Sequence, residues 1–116
     1  MSKPANVKAD TLSALRGTRR DMSRARWLMA LRRQPVDKRR EAALARLNVE
    51  QALLALGNER LSAIGQKLAD NEAELRRGAS ELRRARRKLN RVRTVLSKVD
   101  ALLQTVSKIV KFVRTA

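Results

Sequence analysis

Beginning at Leu47, leucine recurs at every seventh position through Leu54, Leu61, Leu68, Leu75, Leu82, Leu89, Leu96 and Leu103, and Val110 takes the next step. A repeat held in one phase for that long commits the chain to helices, because a helical seam returns an apolar side chain to the same side every seven residues. Read as one helix, the run would extend roughly 95 Å. The residues three after each leucine are Glu50, Gly57, Ile64, Asn71, Gly78, Ala85, Val92, Val99, Val106 and Val113. Only the last four heptads therefore carry a complete two-position seam. Leucine takes its first core position and valine its second, the reverse of the order that parallel dimers favour. The pattern predicts a higher-order or antiparallel assembly. Its expected oligomer interface is Leu75, Leu82, Leu89, Val92, Leu96, Val99, Leu103, Val106 and Val110.

Upstream, residues 1–9 are polar, contain Pro4 and read as a flexible tail. Asp10 or Thr11 can cap a helix over 10–33, where Leu15, Met22 and Met29 repeat at seven and Leu28, Leu31 and Trp27 lie on a flank. Gly17 costs such a helix about 1 kcal/mol relative to alanine, so it needs tertiary support. Gln34-Pro35 breaks the pattern, giving a turn over 34–36 and a second helix over 37–114. In its first half Val49, Leu53, Leu56 and Ile64 widen the apolar side beyond a two-helix seam, enough to touch two neighbours. The reading is a single all-α domain over 10–116, a short N-terminal helix folded onto a long coiled-coil helix. The alternative is a helical hairpin or three-helix bundle with a turn in 57–78, where Gly57-Asn58, Gly65 and Asp70-Asn71 are weak breakers.

Charge is the second constraint. The 116 residues carry 28 Lys plus Arg against 11 Asp plus Glu, a net +17. Residues 1–40 hold twelve cations and three acids, 41–75 three and six, 76–93 nine and one, and 94–116 four and one. An acidic middle between two basic blocks disfavours a parallel, in-register dimer, which would stack the strongest block on itself. That block is Arg76, Arg77, Arg83, Arg84, Arg86, Arg87, Lys88, Arg91 and Arg93, too many cations for the acids upstream to neutralise. Arginine's planar fork suits phosphate oxygens. These nine are the expected nucleic-acid contacts, to the phosphate backbone and without sequence reading. Arg16, Arg19, Arg20, Arg24, Arg26, Arg32 and Arg33 form a secondary basic patch.

What the sequence lacks narrows the function. It contains no Cys and no His, and its glycines form no phosphate-cradling loop. The expectation is a non-enzymatic protein without catalytic residues, metal or cofactor. Aromatic residues are only Trp27 and Phe112, too few for a base-stacking platform, and Trp27 reads as a wedge between the first two helices. No signal peptide or apolar run of membrane-spanning length is visible, which predicts a soluble intracellular protein of the cytoplasm or nucleoid. The basic amphipathic stretch 96–116 could lie on anionic lipid, but its valines keep the phase of the leucine ladder and belong to the seam. The expected role is architectural or packaging, on DNA or RNA, in a homo-oligomer or hetero-oligomeric coiled coil. The rival is a coiled-coil adaptor or structural subunit docking an acidic protein surface.

Overall fold

Pro4 opens the first helix: in the first helical turn a proline gives up an N–H that no helical carbonyl would have met. This helix, α1, spans Pro4–Asp21 in the computed structural model, which describes residues 3–114. The stretch read as a tail over 1–9 is therefore helical from Pro4, Met1 and Ser2 lying outside the described residues. Tertiary contacts hold it. Val7 is buried, and Lys8 Nζ donates to the Glu59 carbonyl at 2.7 Å.

The helix read over 10–33 is two. A turn at Met22–Arg24 ends α1, and α2 spans Ala25–Arg32. The redirection lets both Met22 and Trp27 enter the core, each 2 % exposed. Gln34-Pro35 separates α2 from α3, Val36–Asn58, and Pro35 itself occupies the N-cap.

The long helix read over 37–114 is divided as well. After Gly57-Asn58 the chain is extended at Glu59-Arg60, and α4 follows over Leu61–Asp70. Asn71 then makes a one-residue joint to α5, Glu72–Arg86. Its side-chain amide donates to the Lys67 carbonyl at 2.8 Å, competing with the backbone for a helical acceptor. Between Arg87 and Arg91 the chain reverses into α6, Val92–Ser107. Crowded like charges weaken the end of α5, which tightens through Arg87 N–H to Arg84 O and Lys88 N–H to Ala85 O.

The reversal makes α5 and α6 an antiparallel hairpin, tied by Lys98–Glu81 at 3.3 Å and Lys108–Glu74 at 3.0 Å. At Gly78 the two helices come close: a Cβ there would sit 3.1 Å from Leu102 Cδ1. Helix α1 runs beside α5 in the same direction and also packs on α3 and α4, while α3 closes the bundle against α6. The described residues form six helices and no strand, within 44 × 25 × 18 Å.

The leucine ladder thus serves one chain's own core. Leu68, Leu75, Leu82, Leu89, Leu96, Leu103 and Val110 are buried, and so are Val92, Val99 and Val106. The nine residues read as an oligomer interface are inside the molecule. A helix of the same chain fills the seam without the loss of translational freedom that a second chain would bring. The first three rungs behave differently: Leu47, Leu54 and Leu61 are exposed, and α3 enters the core through Ala42, Val49, Ala52, Leu53 and Leu56. The apolar side of the C-terminal stretch is occupied by the core, and no helix among the described residues is long and apolar enough to cross a membrane.

Candidate functional site

The nine cations of the strong block separate into two groups. Arg86 is internal. Its guanidinium lies across Gly17 of α1, donating to Asp21 Oδ2 at 2.9 Å, Ala14 O at 3.0 Å and Thr18 Oγ1 at 3.4 Å. The Arg86 and Asp21 side chains are only 14 % and 11 % exposed. A Cβ on residue 17 would fall 2.5 Å from Arg86 Nη2, so glycine is what lets the guanidinium lie there. Arg83 donates to Asp10 Oδ1 at 2.9 Å, and Arg76 pairs with Glu72 at 3.1 Å. These three arginines join α5 to α1 or to its own first turn. Each therefore already has a carboxylate partner within the chain.

The other six, Arg77, Arg84, Arg87, Lys88, Arg91 and Arg93, have no acid within salt-bridge distance among the described residues. Arg77 lies in the first half of α5; the other five sit on its last turn, the connection that follows and the start of α6. The secondary patch reaches the same end of the bundle, because α1 finishes beside α5. Arg26 of α2 lines a concavity of about 570 Å³ together with Arg87, Lys88, Leu89, Asn90 and Arg91. On the neighbouring side Lys88 and Arg91 line a second, of about 330 Å³, with Arg84, Thr94, Lys98 and Glu81. Arg16, Arg19 and Arg20 border a third groove, of about 420 Å³, with Arg83 and Arg86. Two basic segments about sixty residues apart in sequence thus form one cationic end. Arg20 and Arg24 lie near Asp21, at 3.9 and 3.3 Å; Arg32 and Arg33 end α2.

Compared with protein-family models, curated proteins and solved structures, the chain matches none.

The chemistry of this end is that of fixed positive charge. Arginine, the commonest residue there, presents a planar, delocalised cation. Concave walls focus its field. No group of three or more His, Cys, Asp or Glu suited to hold a metal occurs among the described residues. Asp21 and Glu81 are the acids at this end; on α5, Glu74, 34 residues before its partner, accepts from Lys108 at 3.0 Å. That hydrogen bond and the ammonium charge hold its carboxyl below the ordinary carboxylate range. Sequence reading missed Lys98 and Thr94 as members of the site. A hairpin centred on Leu89-Asn90 would have found Lys98, since it brings residues equidistant from the turn face to face.

Proposed function

We propose that this protein binds nucleic acid through the phosphate backbone, without reading sequence, in an architectural or packaging role. The observation that carries the reading is the set of cations without an acid partner, Arg26 of α2, Arg84 of α5 and Arg87, Lys88 and Arg91 of the connection to α6, around two adjoining concavities. Phosphates spaced along a duplex match a surface of this kind, and release of their counterions supplies the affinity. The burial of Trp27 supports duplex over single strands, since it leaves no exposed aromatic ring on that end for a base to stack on.

The test is fluorescence anisotropy on random-sequence duplex over a salt series. Binding is expected at ~50 mM salt and falls steeply as salt rises. Replacing Arg84, Arg87, Lys88 and Arg91 together by Gln removes about 3–4 from the slope of log K against log salt, at ~0.9 per phosphate contact. Sequence changes in the duplex leave the affinity unaltered. Absence of binding at ~50 mM salt rejects the proposal and favours an acidic protein surface as the partner of this end.

A further inference from the structure

Helix α3 is apolar on two sides. Each residue turns a helix by about 100°, so Val36, Ala43, Leu47 and Leu54 gather within about 40° of one another, roughly opposite the core-facing Val49, Ala52 and Leu56. That pole is where a surface helix ordinarily carries polar residues. Here Val36 is 52 % exposed, Leu47 42 % and Leu54 67 %. With Arg40 and Glu50 between them, the positions follow the alternating four-and-three spacing of a helix–helix seam.

The seam is also symmetric about one level. Val36 and Leu54 lie nine residues either side of Ala45, Arg40 and Glu50 five, and Ala43 and Leu47 two. Two copies of α3 laid antiparallel at that level set Val36 against the partner's Leu54 and the small Ala43 against the partner's Leu47. They also set Arg40 against the partner's Glu50. A parallel pair would oppose Arg40 to Arg40 and Glu50 to Glu50, so charge selects the antiparallel arrangement. Arg40 has no acid partner among the described residues, and Glu50, 3.7 Å from Arg46, keeps 44 % of its side chain exposed. Net charge points the same way. The chain carries +17, yet α3 holds four cations against three acids, which makes it a surface on which two such chains can meet.

We infer that the outer side of α3 is the contact surface of a twofold dimer, with a second copy of this chain packed antiparallel on Val36, Ala43, Leu47 and Leu54. None of these four residues lines the concavities around Arg87, Lys88 and Arg91, although Leu54 shares another with Arg16 and Arg19, and the contact does not depend on what the cationic end binds.

Light scattering and sedimentation equilibrium on the full chain test it, at ~100 µM protein, where micromolar association is complete. Salt of ~0.3 M shortens the screening length to about 6 Å and removes most of the repulsion between copies. The expected mass is twice 13.1 kDa. Leu54→Lys weakens association at least ~30-fold, with helix content unchanged because the site is exposed. Arg40→Glu weakens it ~10-fold, and adding Glu50→Arg brings it back to within ~3-fold of the original. A single-chain mass throughout, or a dimer indifferent to Leu54→Lys, overturns the inference. So does a double reversal that fails to restore what Arg40→Glu removed.

Discussion

Replacing Gly17 by Ala should destabilise this protein, although helix propensity alone says the opposite. In the interior of α1 alanine is worth about 1 kcal/mol over glycine. Against that gain stands the Arg86 guanidinium, whose Nη2, Nη1 and Cζ would lie 2.5, 2.8 and 2.9 Å from the new Cβ. The end of an arginine side chain can retreat, but only by stretching its bonds to Asp21, Ala14 and Thr18. Hydrogen bonds to charged groups contribute about 1.5–3 kcal/mol each, and weakening several outweighs the propensity gain. The net expectation is a loss of about 1–2 kcal/mol for Gly17→Ala. Arg86→Ala alone leaves Asp21 buried with weaker partners; breaking such a pair costs about 3–5 kcal/mol when fully enclosed, and less here because Arg24 is 3.3 Å away. The informative member is the double variant. With the guanidinium gone, Gly17→Ala should stabilise by about 1 kcal/mol, so the sign of one substitution reverses with the background. Urea unfolding followed by far-UV circular dichroism on the four proteins gives the cycle, provided the m-values agree. A coupling below ~0.5 kcal/mol, or Gly17→Ala stabilising in both backgrounds, would refute the account of Arg86 as the bolt between α1 and α5.

Two further outcomes follow from the division of the ladder and from its flanking charges. Leu82→Ala, at a fully buried rung, should cost about 2–5 kcal/mol in the same urea assay, whereas Leu54→Ala, measured at concentrations where chains are dissociated, should stay within about 0.5 kcal/mol. Equal costs at the two sites would contradict the separation of the rungs. Glu74 should titrate below an unpaired glutamate, and Lys108→Met should return it upward, as read by NMR of its side-chain carboxyl. Since folding lowers this pKa, the Lys108–Glu74 contact favours the fold above the ordinary carboxylate range and is lost as pH falls through the folded value. A Glu74 titration that Lys108→Met leaves unmoved would contradict the pairing.

The helical class was legible because the leucine phase admits little else, and Gln34-Pro35 announced its own break through the missing N–H and the restricted residue before proline. The other joints had weaker signals. Asn71 bends the chain by one residue without shifting the heptad count, so Leu68, Leu75 and Leu82 stay in register across it and conceal the joint. At Arg87–Arg91 the seam continues through Leu89 and Val92, both buried, so periodicity cannot distinguish a rod from a hairpin folded on the same residues. What decides between them is whether a partner for the seam exists inside the chain, a tertiary property. The cationic block was legible as composition but not as a site. Nothing in the spacing of Arg76, Arg83 and Arg86 tells that Asp10 and Asp21 would meet them, because those contacts reach across about sixty-five residues or more.

Placing so many cations at one end poses a physical problem that the helix directions help to solve. Parallel α1 and α5 finish at the same end, so both present the partial negative charge of their C-termini there. Their last turns hold Arg19 and Arg20 in one and Arg83, Arg84 and Arg86 in the other. Each cation so placed is favoured by about 0.3–1 kcal/mol, offsetting part of the repulsion among them. Asp21 adds a full negative charge at the centre, shared by Arg86, Arg24 and Arg20. One carboxylate offsets only part of that charge, and Arg26, Arg84, Arg87, Lys88 and Arg91 stand around the concavities with repulsion that the fold relieves only in part. A surface of fixed positive charges held together by helix packing is already ordered before any anion arrives. On binding the proposed polyanion it would lose little conformational freedom and gain the relief of its own repulsion. The same reasoning separates the two contacts proposed for this chain: a polymer of negative charge at the cationic end, and a second copy of the chain on the nearly neutral outer side of α3.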